Sequence, residues 1–134
     1  MENIILDWSH VYRLLDNIHN QVDDKIKYVT GIPRGGTILA ILYSHKFNVK
    51  YLHSPSNGYP NLLILDDISD SGETLENIST SYFNNLTATL YYKEGSIKKP
   101  NFYSEYIPKN YGWIIFPWEN KNADNIQDYL KYGK

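Results

Sequence analysis

One stretch, residues 62–74, constrains this chain more than any other. Four apolar residues, Leu62, Leu63, Ile64 and Leu65, run into Asp66 and Asp67, and the segment closes on Ser69-Asp70-Ser71-Gly72-Glu73-Thr74. An unbroken apolar run of this length suits a parallel strand covered by helices on both faces. The acidic pair is expected at the strand's end, where side chains can project into a crevice. The residues after it turn tightly, and Gly72 opens a helix through about Phe83. A helix amino end presents free N–H groups and the positive end of the helix dipole, which suits an anion. Gly72 lets the backbone approach an oxygen closely, and Ser71 and Thr74 add hydroxyl donors. One loop thus offers phosphate donors beside carboxylates that suit hydroxyls or hydrated Mg²⁺. Those are the needs of a phosphorylated ribose.

The rest of the chain alternates strand with helix. Ser9 is expected to cap a helix carrying Val11, Leu14, Leu15, Ile18 and Val22 on one face, ended by Asp23-Asp24-Lys25. Tyr28 to Ile32 reads as a strand, Thr37 to Phe47 as a largely buried helix, and Val49 to His53 as a short strand. Ser54 to Pro60 is turn chemistry throughout. Strands are expected again at Leu86 to Tyr92, Phe102 to Ile107 and Trp113 to Phe116, and a last helix at Asn122 to Tyr132. This order predicts an α/β fold with a mostly parallel central sheet flanked by helices, residues 1–134 forming a single domain. In such sheets the ligand crevice lies beyond the carboxyl ends of the strands, at a switch in strand order.

Composition narrows the function classes. The chain has 134 residues and no cysteine, so thiol nucleophiles, thiolate metal sites and disulfides are excluded. A net charge of −2 gives no general attraction to nucleic acid or anionic lipid. No apolar run reaches the roughly 18 residues of a membrane span, and the polar N-terminus does not suit a secretory signal. A cytoplasmic protein without nucleic-acid or membrane partners is expected. Of the 13 basic residues only Arg13 and Arg34 are arginine, which draws attention to Gly31-Ile32-Pro33-Arg34-Gly35-Gly36. That segment follows a strand and precedes a helix, and Arg34 has the planar fork that grips a diphosphate. Nearer the C-terminus, Lys93 ends a strand and residues 113–119 are rich in aromatic groups. An apolar surface and a single donor are what a planar base needs.

Four apolar residues, two acids and a Ser-Asp-Ser-Gly-x-Thr loop resemble the phosphoribosyl-pyrophosphate (PRPP) signature of the type I phosphoribosyltransferases. The resemblance, spanning roughly residues 28–119, implies that Asp66 and Asp67 hold the ribose hydroxyls, directly or through Mg²⁺. It gives the 5′-phosphate to Asp70, Ser71, Gly72, Glu73 and Thr74, with Glu73 contributing its backbone N–H. Asp70 would also serve near purine N7 as general acid/base. Arg34, Gly35 and Gly36 match the family's pyrophosphate loop, with Arg34 also catalytic, and a non-proline cis peptide is implied at Pro33–Arg34. The Trp-Ile-x-x-Pro-Trp-acid pattern is similar to the base-binding stretch of xanthine–guanine phosphoribosyltransferases, in a small C-terminal hood. On that likeness Lys93 donates to the purine 6-oxo group, Ile114 stacks, and the backbone at Trp113 and Ile114 meets the base edge. Glu119 stands where that subgroup carries an acid near the metal–pyrophosphate site.

The implied activity is Mg²⁺-dependent phosphoribosyl transfer from PRPP to a 6-oxopurine (guanine, xanthine or hypoxanthine), giving a nucleoside 5′-monophosphate and pyrophosphate. Family enzymes carry a long mobile loop before the acidic-motif strand; here it is cut to about Ser54 to Pro60. The alternatives are therefore a nucleotide- or PRPP-binding regulatory protein with weak or no catalysis, or a transferase for orotate or uracil. A homodimer or larger homo-oligomer would let a neighbouring subunit shield the site.

Overall fold

A computed structural model describes residues 3–119; the helix expected at Asn122 to Tyr132 lies outside them. The sheet has five parallel strands: β2 (Tyr28–Gly31), β3 (Lys50–Tyr51), β4 (Leu62–Ser69), β5 (Leu86–Lys93) and β6 (Phe102–Ile107), in the order β3-β2-β4-β5-β6. The chain leaves β2 toward β3 and returns on β2's other side as β4, so strand order switches between β2 and β4. A ligand crevice is expected beyond that point.

Helices α1 (Trp8–Val22) and α2 (Gly35–Phe47) cover one face and α3 (Glu73–Ser81) the other. In α1, Val11, Leu14, Leu15, Ile18 and Val22 recur every three or four residues, so all five reach the core. The helix starts two residues earlier than expected and Ser9 lies inside it: Asp7 Oδ1 accepts the His10 N–H at 2.8 Å, leaving the capping role to Asp7. Helix α2 lays Gly36, Leu39, Ala40 and Tyr43 on the sheet and ends where Asn48 turns left-handed at φ 55°. Leu62, Leu63, Ile64 and Leu65 are all fully buried between these layers, each burial stabilising by roughly 1.5–3 kcal/mol. Continuous apolarity is the sequence cost of a strand with no solvent face.

Strand β4 runs on to Ser69, so Asp66 and Asp67 lie inside it rather than at its end. The two neighbours differ in length. Pairing with β2 stops at Gly31 opposite Leu65, while pairing with β5 continues to Ser69 opposite Tyr92. Beyond Leu65 one edge of β4 therefore has no strand partner among the described residues, and the acidic pair lies beside the β2–α2 turn instead. A second, two-stranded sheet joins β1 (Ile4–Ile5) to β7 (Ile114–Ile115) in parallel, so the N-terminus helps hold the aromatic segment. The expected strand Trp113 to Phe116 is regular only over Ile114 and Ile115. Among the described residues no helix is long and apolar enough to cross a membrane.

Candidate active site

A cavity of about 760 Å³ opens beyond the carboxyl ends of β2, β4 and β5, beneath β7. Its walls bring together Arg34, Gly35, Asp66, Asp67, Asp70, Ser71, Gly72, Glu73, Thr74, Lys93, Trp113, Ile114 and Glu119. Every site residue expected from sequence lines it except Gly36.

Gly36 has another task. Its N–H donates to the Ile32 carbonyl at 2.9 Å, so that amide is already used within the turn. A β-carbon at Gly36 would overlap the Leu65 carbonyl, and one at Gly35 would overlap the Asp67 carboxylate. The two glycines let the β2–α2 turn lie directly on β4. The peptide between Pro33 and Arg34 is cis.

Asp67 is only partly exposed and accepts the Ile68 N–H at 2.8 Å, while Asp66 Oδ1 accepts the Asp67 N–H at 2.9 Å. Burial is the main influence on the Asp67 carboxyl. With the nearby negative charge of Glu119 it outweighs relief from Asp66 and the backbone amides, pushing the group from 3.8 up to about 6. Glu119 itself turns back on its own segment, Oε1 accepting the Phe116 N–H at 2.9 Å. Trp118 stacks flat on Phe116, centroids 4.9 Å apart, and leans on Trp8 at 5.9 Å. The Trp113 carbonyl accepts the Ile4 N–H at 2.8 Å, which ties the hood to β1.

The phosphate-type loop turns at Gly72, whose φ of +88° is a left-handed conformation. At the start of the same loop Asp70 Oδ1 pairs with the Lys93 ammonium at 3.5 Å. Chemically, the cavity offers amides and hydroxyls for a phosphate, a guanidinium for a second anion, carboxylates for hydroxyls and one amine beside an acid.

No protein-family model matches the chain. It is similar to a xanthine-guanine phosphoribosyltransferase of Cereibacter sphaeroides, 28% identical over 114 residues that cover 68% of each protein. Among solved structures it resembles a purine phosphoribosyltransferase from Pyrococcus horikoshii Ot3, with TM-score 0.77, 23% identity, and 95% and 100% of the two chains covered. The chain has the type I phosphoribosyltransferase fold, with the sequence pattern of the xanthine–guanine enzymes. A Helicobacter pylori xanthine-guanine-hypoxanthine phosphoribosyltransferase shares that fold at TM-score 0.72 and 17% identity, over 88% of this chain and 94% of the other.

Within this phosphoribosyltransferase fold two features escape the sequence reading. The first is β1, whose two residues form a strand only because β7 is there to pair with. The second is the turn after Lys93. Ser69 is buried, and its hydroxyl lies 2.7 Å from the Ser96 hydroxyl and donates to the Lys98 carbonyl at 3.0 Å. Turn chemistry in Glu94-Gly95-Ser96 was the available signal. The shortened connection between β3 and β4 is fastened elsewhere. Asn57 Nδ2 donates to the Ser81 carbonyl at 3.1 Å, and Asn85 Nδ2 donates to the Ser56 carbonyl at 3.1 Å, both beside the trailing end of α3.

The described residues contain no group of three or more ligand-type side chains placed to hold a metal ion by themselves. The donor set fits Mg²⁺ in a different way. Five acids and two bases line the cavity, so a phosphorylated ligand needs an accompanying cation. Mg²⁺ is commonly held by one or two carboxylates together with substrate oxygens and water.

Proposed function

We propose that this protein transfers the phosphoribosyl group of PRPP to a purine, with a 6-oxopurine as its substrate. The observation that carries this reading is that the Asp70–Thr74 loop, Arg34 and Lys93 line one cavity. The names of the relatives, xanthine-guanine and purine phosphoribosyltransferases, support the purine class. In this reading the amides and hydroxyls of residues 71–74 hold the 5′-phosphate, and Asp70 stands beside it. Arg34 and the amide of Gly35 receive the pyrophosphate. Asp66 and Asp67 face the ribose hydroxyls. Lys93 donates to the 6-oxo oxygen, with Ile114 and the backbone at Trp113 against the ring.

The reaction breaks the bond from ribose C1 to the diphosphate oxygen and forms one from C1 to a base nitrogen. Positive charge grows on the ribose and negative charge on the leaving diphosphate, where Arg34 stabilises it. The proton lost by the base passes to Asp70. Asp66, Asp67 and Glu119 would hold Mg²⁺, directly or through water. Bound with the diphosphate, the ion supplies positive charge to the departing oxygens. A cytoplasmic setting, a single domain and a homo-oligomeric state go with this reading.

The test is incubation with PRPP, Mg²⁺ and single bases (xanthine, guanine, hypoxanthine, adenine, uracil and orotate), followed by separation of any nucleotide. Product from a 6-oxopurine that disappears in Asp70→Asn supports the reading. Product from orotate or uracil alone overturns the role of Lys93. One observation favours a second reading, a nucleotide-binding regulator: the β3–β4 connection is bonded to α3. Tight nucleotide binding with no product from any base would establish it.

A further inference from the structure

We infer that the turn after Lys93 is a positioning element for the 5′-phosphate loop, and that Ser96, through its bond to Ser69, is the positioning residue. The inference rests on the assignment of residues 70–74 to a phosphate.

The Ile97 N–H donates to the Ser71 carbonyl at 2.9 Å. In a planar trans peptide the C=O and the following N–H point in opposite directions. Fixing the Ser71 carbonyl outward against Ile97 therefore aims the Gly72 N–H inward, where the phosphate is expected. Gly72 is in close contact with the same turn: a β-carbon there would lie 2.5 Å from Ser96 Oγ and 2.8 Å from Ile97 N.

The turn is itself anchored in two places. Ser96 N donates to the Lys93 carbonyl at 3.1 Å, closing the turn onto the end of β5. Ser96 Oγ meets Ser69 Oγ at 2.7 Å, and both hydroxyls reach the Lys98 carbonyl, at 3.1 and 3.0 Å. Ser69 is 2% exposed and belongs to β4, the strand that leads into the phosphate loop. The loop is thus held from both sides: by its own strand, and by a turn whose position is set through a buried hydroxyl pair. A Ser96 without its hydroxyl leaves the Ser69 hydroxyl with one partner fewer and frees the Ile97 amide to drift.

The experiment compares binding of guanosine 5′-monophosphate and guanosine by calorimetry in wild type, Ser96→Ala, Ser69→Ala and Ser96→Thr, with melting temperatures alongside. The expected result is at least a fivefold loss for the monophosphate in each alanine variant, with guanosine unchanged within twofold. Ser96→Thr restores binding, and the double alanine variant is no weaker than either single one. Equal losses for nucleoside and nucleotide, or no loss, overturn the positioning role while leaving the proposed function standing. A wild type that binds neither ligand overturns the phosphate assignment itself. Ser69→Ala provides the measurement if Ser96→Ala does not fold.

Discussion

Lys93 Nζ stands 3.5 Å from Asp70 Oδ1, joining the end of β5 to the loop that follows β4. The lysine side chain is 21% exposed and the aspartate 37%, so the pair contributes about 1 kcal/mol or less to stability. Its importance is chemical, because one partner is assigned to the base oxygen and the other to the base proton. Lys93→Met is expected to leave the melting temperature within a few degrees while raising KM for guanine and xanthine at least tenfold. Steady-state kinetics with adenine as control reads this. A uniform loss with every base would refute selective recognition by Lys93.

Asp67 makes stability depend on pH. Its carboxyl titrates near 6 in the folded protein against 3.8 ordinarily, so between those values the folded state binds more protons than the unfolded chain. Stability from this group therefore falls as pH rises from about 4 to about 6 and stays low above. Asp67→Asn keeps an oxygen for the Ile68 amide and removes the charge. It is expected to be more stable than wild type at pH 8, by on the order of 3 kcal/mol, and nearly equal to it at pH 4. Urea unfolding at both pH values checks this, and a constant difference between the two proteins would contradict it.

Arg34 is assigned to the pyrophosphate and not to the 5′-phosphate. Hydrogen bonds to charged groups contribute about 1.5–3 kcal/mol, or roughly 10- to 150-fold in affinity. Arg34→Ala should weaken PRPP and pyrophosphate by that factor and leave the nucleoside monophosphate within threefold. Calorimetry with the three ligands separates them; equal weakening of all three would place Arg34 elsewhere.

Much of this arrangement was legible in the sequence because its causes are local. The apolar run Leu62 to Leu65 suits a strand covered on both faces, and the serine and glycine after Asp70 suit a tight turn. What was not legible depends on partners far along the chain. Asp66 and Asp67 extend β4 because β5 continues alongside it where β2 has stopped. Ile4 and Ile5 are a strand only through β7. Nothing local marks Ser69 as the residue that holds a turn 27 positions away. Gly36 matched the motif, yet its amide faces Ile32 and its bare α-carbon faces β4.

That last placement separates two glycines. Gly36→Ala puts a methyl into the Leu65 carbonyl with backbone on both sides, so it should destabilise by at least 1–3 kcal/mol or rearrange the turn. In Gly58→Ala the nearest atom, Ser56 Oγ, is 3.4 Å away on a flexible side chain. It should unfold within about 0.5 kcal/mol of wild type. Denaturant midpoints of the two variants give the comparison, and equal midpoints would show that the close approach at Gly36 is not needed.

The β3–β4 connection, bonded to Ser81 and Asn85 beside the trailing end of α3, has a kinetic consequence. None of residues 52–61 lines the cavity, so a ligand leaving it is not expected to wait for that segment to swing aside. Residence time then follows from the contacts in the cradle, and dissociation rates should rise in step with each bond removed there, without a common ceiling set by a gate.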